Sequence, residues 1–272
     1  MPDRSIPMTG HTRLFGIVAD PITHVVAPQT FGAVFAERGI DAMMLPFHVR
    51  PDRVKDAFTG FKALANLDGL VVTVPHKFAF ARLMDDLGPH ARRTGAVNVV
   101  RCNPDGRWFG ELFDGLGFVE GLRSRGISPA GKSFLIYGAG GAGTAIVSAL
   151  LTERPSRIVV TDVAAGKAEA MCRALAVEAP GLALEATTTP DPAGFDIVVN
   201  ATPMGLEEDP RMPFDPSRMK PDAVAAEVIM MPPVTRLLED ARRRGLRTHE
   251  GSLMLRGQLE LMLGFFGFAR RV

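Results

Sequence analysis

A glycine-rich turn is the first part of the chain whose residue types and spacing suit a chemical task. Residues 134–137 are apolar and residues 144–151 have helical character, so the turn lies between a strand and a helix. Its pattern, G-x-G-x-x-G, lets backbone N–H groups at a helix start bind the pyrophosphate of a dinucleotide. The turn consists of Gly138, Ala139, Gly140, Gly141, Ala142 and Gly143. The sequence therefore predicts a dinucleotide site, with an ordinary strand–helix turn as the alternative.

An acidic residue supports the dinucleotide interpretation. The short apolar segment 157–161 is followed by Asp162, about 20 residues beyond the glycines. At that distance a carboxylate accepts a hydrogen bond from the adenosine ribose 2′-hydroxyl. The alternative is a solvated aspartate in a βαβ turn.

The composition is that of a globular protein of two domains or one large one. The chain has 272 residues, of which 46% are hydrophobic and 22% are charged, enough for a sizeable core. A net charge of +1 argues against a nucleic-acid partner, and no apolar run is long enough to cross a membrane. The polar N-terminus lacks a secretory signal, and Cys102 and Cys172 form neither a metal-binding nor a disulfide pattern. These features predict a cytoplasmic protein without a metal.

The elements that position these residues alternate along the chain. Strands are predicted at residues 14–18, 43–47, 69–74, 96–100, 134–137, 157–162, 183–186, 195–201 and 223–229. Helices are predicted at 30–38, 54–65, 78–87, 113–122, 144–151, 167–177, 235–244 and 252–268. The turn at 103–106 predicts a hairpin, and the alternation elsewhere predicts mostly parallel sheets.

Several short stretches, taken together and in order, resemble the shikimate/quinate dehydrogenase family. They are Gly16, D-P-I-T-H at 20–24, Pro28, V-T-V-P-H-K at 72–77, G-A-V-N at 95–98, Gly110, D-G at 114–115, the glycine turn, N-A-T-P-M-G at 200–205, Pro232, Thr235 and residues 250–258. The resemblance implies an α/β fold: an N-terminal α/β substrate domain, a Rossmann domain for a nicotinamide cofactor, and a C-terminal helix that returns to the first domain. We assign residues 1–116 and 246–272 to the substrate domain and 117–245 to the Rossmann domain.

The resemblance also implies a catalytic pair, Lys77 and Asp114. Oxidation of a secondary alcohol sends a hydride to the nicotinamide and a proton to an acceptor within hydrogen-bond reach of the hydroxyl. A lysine can take that proton, and an adjacent carboxylate can orient both the lysine and the hydroxyl. Without the resemblance, a solvated lysine and a helix-capping aspartate would be the simpler interpretation.

Further contacts are implied on both sides of the reaction. Substrate contacts are expected from Thr73, Asn98 and Gln258, with capping of buried backbone groups as the alternative for the two amides. Cofactor contacts are expected from Ala201, Thr202, Met204 and Gly251.

The chain departs from the family pattern where a substrate carboxylate would be held. The two hydroxyl residues of the first motif are replaced by Val25 and Ala27. Other polar or aromatic family positions hold Val71, Val99, Leu112, Phe113 and Met230. A carboxylate facing apolar side chains is poorly compensated, so we expect a substrate other than shikimate. His24, Gln29 or an arginine remain alternative anchors.

The cofactor prediction is NAD, with NADP the alternative. Family members that use NADP carry an Asn-Arg-Thr or Asn-Arg-Ser segment after the second Rossmann strand. Here residues 161–166 read T-D-V-A-A-G, without an arginine, and Lys167 is the nearest cation. Asp162 would repel a 2′-phosphate.

The function predicted from the sequence is an NAD-dependent alcohol dehydrogenase for a cyclic polyol related to shikimate or quinate. One alternative is a genuine shikimate or quinate dehydrogenase that holds the carboxylate differently. The other is a non-catalytic NAD-binding protein. The expected partner is a small-molecule substrate, with no nucleic acid or membrane, and the expected state is a monomer or homodimer.

Overall fold

The computed structural model of the chain describes residues 8–23 and 25–268, so that His24 lies outside the described residues. The chain divides into two compact units. The first contains the residues up to Phe113 and those from Met262 onward, and the second contains residues 114–261. Each unit has its own six-stranded sheet, which gives the predicted α/β class. The predicted domain bounds stay a prediction, because compactness alone does not test where an independently folding domain ends.

The first unit has a mixed sheet. Its strands are β1 Arg13–Ala19, β2 Ala42–His48, β3 Leu67–Val72, β4 Asp86–Leu87, β5 Val99–Cys102 and β6 Trp108–Glu111. Its helices are α1 Ala27–Arg38, α2 Val54–Lys62, α3 Lys77–Ala81 and α4 Pro89–Thr94. In the strand order β2-β1-β3-β5-β6-β4, the first three strands are parallel, as expected. The predicted turn at 103–106 joins β5 and β6 as an antiparallel hairpin.

One predicted helix of this unit is wrong in its length. The helix expected at 78–87 ends at Ala81, and the chain then joins the sheet as β4. The side chain of Asp85 accepts a hydrogen bond from Trp108 N at 2.8 Å, and Asp85 N donates to Trp108 O at 2.9 Å. These bonds to β6 replace the hydrogen bonds that a longer helix would have made. The sequence interpretation also missed α4.

Aromatic packing holds the chain's C-terminal residues in the first unit. The rings of Phe15 and Phe266 lie 4.7 Å apart, and both are buried. Gly69 of β3 makes room for this contact, because a Cβ there would lie 2.5 Å from Phe266 Cε1. Burial of a phenylalanine side chain is worth about 1.5–3 kcal/mol. The predicted return of the last helix to the first domain is confirmed in this form, since its end and the residues after it belong to the first unit.

The second unit is a doubly wound sheet with all strands parallel. Its strands are β7 Ser133–Tyr137, β8 Arg157–Thr161, β9 Ala183–Ala186, β10 Ile197–Asn200, β11 Val224–Glu227 and β12 Arg247–His249. Its helices are α5 Asp114–Ser124, α6 Gly141–Leu150, α7 Lys167–Ala176, α8 Arg236–Arg243 and α9 Gly251–Phe265, of which α9 extends into the first unit. The order β9-β8-β7-β10-β11-β12 is that of a dinucleotide-binding Rossmann sheet.

The apolar side chains of the central strand β7 point alternately to the two faces of the second sheet and pack on both. Phe134 and Ile136 of β7 pack in a cluster with residues of α5, α6 and α7. Leu135 and Tyr137 pack on the opposite face with Phe214 and residues of α8. Successive side chains of a strand point to opposite faces, so this run of apolar residues fits a sheet covered on both sides. Among the described helices, none is long and apolar enough to span a membrane.

A buried histidine lies beside the last strand. His249 is completely buried, and its ring lies 4.7 Å from the ring of Phe118 on α5. A Cβ at Gly121 would lie 2.5 Å from His249 Nε2, so α5 approaches this ring closely. Burial lowers the pKa of His249 to about 4, since the charged imidazolium would lose its hydration.

Replacing His249 with phenylalanine should make folding less sensitive to acid. The pKa of His249 is about 4 in the folded protein against an ordinary 6.5, so the neutral ring contributes stability that is lost as the pH falls from 6.5 toward 4. Between pH 7.5 and 5 the wild type should lose about 2 kcal/mol more of its free energy of unfolding than His249→Phe. Urea denaturation at both pH values measures this difference. His11→Phe, at an exposed histidine, is the control and should match the wild type, and equal acid sensitivity in His249→Phe would contradict the interpretation.

Candidate active site

Strand direction brings the predicted substrate residues of the first unit to one edge of its sheet. β1 and β3 are parallel, so their last residues, Ala19 and Val72, lie at the same edge. β5 runs the other way, and its first residue, Val99, pairs there with Val71 and with Glu111 at the end of β6. We call this the carboxyl edge of the first sheet. Ligands of α/β proteins bind in the crevice outside such an edge.

Backbone hydrogen bonds at this edge join the segments that carry Lys77 and Asn98. Val72 N donates to Asn98 O at 2.8 Å, and Val97 N donates to Lys77 O at 3.1 Å. Lys77 is half-buried and is the first residue of α3. The half-buried Thr73 directly follows β3 at the same edge. The structure therefore brings Lys77, Thr73 and Asn98 together within the first unit.

Asn98 also has a structural role. Its side chain is buried, and its Oδ1 accepts a hydrogen bond from Phe113 N at 2.9 Å. This is the backbone capping that the sequence left open as the alternative. The side-chain oxygen of Asn98 thus holds the chain in place after β6. A contact between the Asn98 side chain and a substrate stays a prediction.

Six of the seven apolar positions that depart from the family pattern lie in the first unit, where they fall into two groups. Val71, Val99, Leu112 and Phe113 are buried and belong to the core of the first unit. Val25 and Ala27 are half-buried, and Ala27 is the first residue of α1. Val25 and Ala27 are therefore the residues of these two groups that are most accessible to solvent or to a ligand.

The glycine turn in the second unit has the geometry of a phosphate cradle. Helix α6 begins at Gly141, three residues before the predicted start at 144, because the turn itself forms the first helical turn. Gly138 has φ +105°, and a Cβ on Gly143 would lie 1.9 Å from Gly138 O. A Cβ on Gly140 or Gly141 would meet no described atom within 4 Å, so these two leave open space above the helix start. The first N–H groups of a helix lack intrahelical partners and attract anions, which fits a pyrophosphate.

Asp162 is tied to the glycine turn. Its Oδ2 accepts a hydrogen bond from Ala139 N at 2.7 Å, its Oδ1 accepts one from Ala164 N at 2.9 Å, and Lys167 Nζ lies 3.3 Å from Oδ2. Burial raises the pKa of Asp162, but these hydrogen bonds and the lysine outweigh it and leave the pKa below its ordinary value. The side chain is therefore an anion at neutral pH, at the end of β8 where the adenosine ribose is expected.

The N-A-T-P-M-G segment follows β10 and is closely hydrogen-bonded. Thr202 N and Thr202 Oγ1 both donate to Asn200 Oδ1, at 3.0 and 2.7 Å, and Asn200 Nδ2 donates to Met204 O at 2.7 Å. Ala201 O lies 2.6 Å from the position of a Cβ on Gly138, so this segment also contacts the glycine turn. Ala201, Thr202 and Met204 therefore lie beside the cradle in the same unit.

A buried carboxylate at the end of β11 was missed by the sequence interpretation. Glu227 is completely buried and accepts a hydrogen bond from Asn200 Nδ2 at 3.1 Å. The only sequence signal for it is an acidic residue that ends an apolar strand, which is also typical of a solvated loop.

The remaining predicted residues lie in the second unit. Asp114 opens α5 and is half-buried, Gln258 of α9 is buried, and Met230 is half-exposed in the segment after β11. A Cβ on Gly251 would lie 2.3 Å from Ile229 O, so Gly251 is needed for close backbone approach, and its cofactor contact stays a prediction. Among the described residues, no group of three or more His, Cys, Asp or Glu side chains is arranged to hold a metal ion.

Comparisons with known proteins show relatives over nearly the whole chain. Residues 17–100 match the family model for the shikimate dehydrogenase substrate binding domain. A shikimate dehydrogenase (NADP(+)) of Rhodospirillum rubrum is 35% identical over 91% of this chain and 89% of the relative.

Two solved structures extend the likeness to the whole fold. Shikimate 5-dehydrogenase from Listeria monocytogenes, in complex with shikimate and NAD, has a TM-score of 0.88 and 30% identity, covering 97% of this chain and 94% of that one. The 5-ketofructose reductase of a Gluconobacter species has a TM-score of 0.86 and 32% identity, covering 94% and 92%.

Two glycines of the turn, Gly141 and Gly143, should respond oppositely to an added methyl group. Gly143→Ala should lower the free energy of unfolding by about 2 kcal/mol, because the methyl group would overlap Gly138 O. Gly141→Ala, the matched control, meets open space at the first residue of α6 and should raise it by up to about 1 kcal/mol. Urea denaturation of both variants without ligand gives the comparison. Equal effects would show that the turn is not as tight as the structure has it.

Proposed function

Because this chain belongs to the shikimate dehydrogenase family, we propose that it is a nicotinamide-dependent oxidoreductase for a polyol or ketone that lacks a carboxylate. The single observation behind the substrate class is the pair Val25 and Ala27, which are apolar and half-buried where the family pattern has hydroxyl residues. An ionised carboxylate placed against them would lose hydration without gaining hydrogen bonds. An uncharged substrate has no such penalty.

The proposed chemistry exchanges a secondary alcohol and a ketone. A bound nicotinamide supplies or accepts the hydride at the carbon that carries the hydroxyl. Lys77 takes the hydroxyl proton on Nζ during oxidation and returns it during reduction. Asp114 is proposed to orient the lysine and the hydroxyl. Asn98, Thr73 and Gln258 are proposed to hold the other hydroxyls, and Val25, Ala27 and Met230 are proposed as further substrate-binding residues.

One solved relative supports a substrate of this class. The Gluconobacter protein is named as a reductase of 5-ketofructose, a keto sugar without a carboxylate, and is 32% identical to this chain. A family fold of this kind is thus compatible with uncharged substrates.

A second candidate function is shikimate dehydrogenase itself. The name of the Rhodospirillum rubrum relative, at 35% identity, favours it. In that case an anchor other than Val25 and Ala27 would bind the carboxylate, with Gln29 or an arginine as the candidates.

We propose NAD as the preferred cofactor, with a glycine-turn contact from residues 138–143 and a ribose contact from Asp162. The anionic side chain of Asp162, without an arginine in residues 161–166, favours a free 2′-hydroxyl over a 2′-phosphate. The named relatives include both an NADP(+) enzyme and a complex with NAD, so the preference rests on these residues.

Restoring hydroxyl groups should increase activity on a carboxylate substrate. The wild type should turn over polyols or keto sugars without a carboxylate better than shikimate, as measured by kcat/KM in a panel. The double variant Val25→Ser, Ala27→Ser should raise kcat/KM for shikimate by about tenfold or more, because two hydroxyls could then bind the carboxylate.

The control for that experiment is Lys77→Ala, which should abolish turnover of every substrate while leaving cofactor binding in place. High wild-type activity on shikimate, unchanged in the double variant, would instead favour the second candidate function.

Removing the charge of Asp162 should shift the cofactor preference. Asp162→Asn should raise kcat/KM for NADP relative to NAD by about tenfold or more, since the amide no longer repels a 2′-phosphate. Steady-state kinetics with both cofactors measure the ratio. Glu169→Gln removes a neighbouring charge in the first turn of α7 and should leave the ratio unchanged. A wild-type preference for NADP would contradict the proposal for NAD.

A further inference from the structure

Two fully buried polar side chains end neighbouring strands of the second sheet. They are Asn200 of β10 and Glu227 of β11, which are paired in register. Glu227 Oε1 accepts hydrogen bonds from the N–H groups of Val228 and Ile229, at 3.0 and 3.1 Å. Its Oε2 accepts from Asn200 Nδ2 and from Thr235 Oγ1, both at 3.1 Å. One carboxylate therefore holds the start of two loops and the N-terminus of α8.

The carboxylate also fixes the orientation of the Asn200 amide. Asn200 Nδ2 donates to both Glu227 and Met204 O, whereas its Oδ1 accepts from the backbone and the hydroxyl of Thr202. An amide has two donor hydrogens and two lone pairs, so all of its capacity is used. A donor in place of Glu227 Oε2 would face the NH₂ group of Asn200. The Asn200 amide could then keep its bonds to Thr202 and Met204, or turn toward the new donor and lose them.

Strand order indicates which end of a dinucleotide these loops would meet. The glycine turn follows the central strand β7, and Asp162 follows β8 on one side of it. β10 and β11 lie on the other side. A dinucleotide with its pyrophosphate at the start of α6 and its adenosine at Asp162 would have its nicotinamide beyond the ends of β10 and β11.

We propose that Glu227 is a positioning residue that sets the nicotinamide end of the cofactor site by holding residues 200–204 and 228–231 in one arrangement. The inference rests on the proposed dinucleotide function of the second unit. It assigns Glu227 no contact with substrate or cofactor. It acts through Ala201, Thr202, Met204 and Met230, which the proposed function places around the reacting groups.

The chemistry of Glu227 supports a task beyond filling space. All four of its partners donate to it, and three of them, two backbone N–H groups and the Asn200 NH₂ group, can only donate, so the arrangement suits the ionised form. Burial nevertheless raises the pKa of Glu227 to about 7. Retaining this group costs stability that an apolar side chain would not, and such costs are most often found at functional sites.

The test compares two ligands that share the adenosine half of the site. In Glu227→Gln the KM for NAD should rise and kcat should fall, each by about tenfold, because the new NH₂ group must face a donor in either orientation: Asn200 Nδ2, or the N–H groups of Val228 and Ile229. The dissociation constant of ADP, which carries no nicotinamide, should change less than about twofold, since Asp162 and the glycine turn are untouched. Isothermal titration gives the ADP constant, and steady-state kinetics give the rest.

Asp196→Asn is the matched control. Asp196 precedes β10 at the opposite edge of the same sheet, where its carboxylate accepts from Ser133 and pairs with Lys220 at 2.6 Å. This control should lower the melting temperature while leaving KM, kcat and ADP binding near their wild-type values. If Glu227→Gln weakens ADP as much as NAD, or leaves the kinetics unchanged, the positioning role is wrong and Glu227 serves only the fold.

Two further measurements keep the outcome decisive. If Glu227→Gln does not fold, Glu227→Asp keeps the charge but shortens the side chain, and it should show the same split between NAD and ADP. If the wild type oxidises none of the alcohols tested, the proposed function fails. The ratio of NADH to ADP dissociation constants in the variant, relative to the wild type, then still decides the role of Glu227.

Discussion

The direction of the strands is the constraint on which both sets of proposed functional residues depend. In a parallel sheet every strand ends at the same edge, so each loop that follows a strand begins beside the others. Because of this, the glycine turn, Asp162, Asn200 and Glu227 lie along one edge although they span 90 residues of the chain. In the first unit, the reversed strand β5 contributes through its beginning, which is how Asn98 joins Lys77. Sequence spacing therefore matters less for these residues than their position relative to a strand end.

The proposed cofactor site in the second unit depends on two further conditions, which are close backbone approach and buried hydrogen bonds. Gly138, Gly143 and Gly251 each lie where a Cβ would overlap a backbone oxygen within the second unit. Chain segments this close leave no room for water, so polar side chains among them must bond to protein groups. Asn200 and Glu227 meet that need with every donor and acceptor engaged. Satisfied polar groups thus help to fix the loops around the proposed nicotinamide position.

Much of the fold was predictable from the sequence, because strands and the glycine turn are coded by local patterns. The hairpin at 103–106 and the strand at β10 were found in this way. The end of α3 at Ala81 was not, since it depends on hydrogen bonds between Asp85 and Trp108, which are distant in sequence. Glu227 was missed for a related reason: a glutamate after an apolar strand has the same local signature whether it is solvated or fully buried. Burial depends on the assembled sheet and its neighbours. The burial of His249 and the hydrogen bond that Asn98 Oδ1 accepts from Phe113 N depend on the assembled fold in the same way.

The hydrogen bonds that hold the Asp162 carboxylate to the backbone have an evolutionary consequence. The carboxylate that we propose binds a ribose hydroxyl also accepts a hydrogen bond from the N–H of Ala139 in the glycine turn. A mutation that changes cofactor preference by removing this side chain would leave a buried N–H without an acceptor and disturb the pyrophosphate cradle in the same step. A side chain that still offers an oxygen, such as asparagine, serine or threonine, would keep an acceptor for this N–H. The hydrogen bond to Ala139 thus limits the substitutions at Asp162 by which such an enzyme could change from NAD to NADP without disturbing the glycine turn.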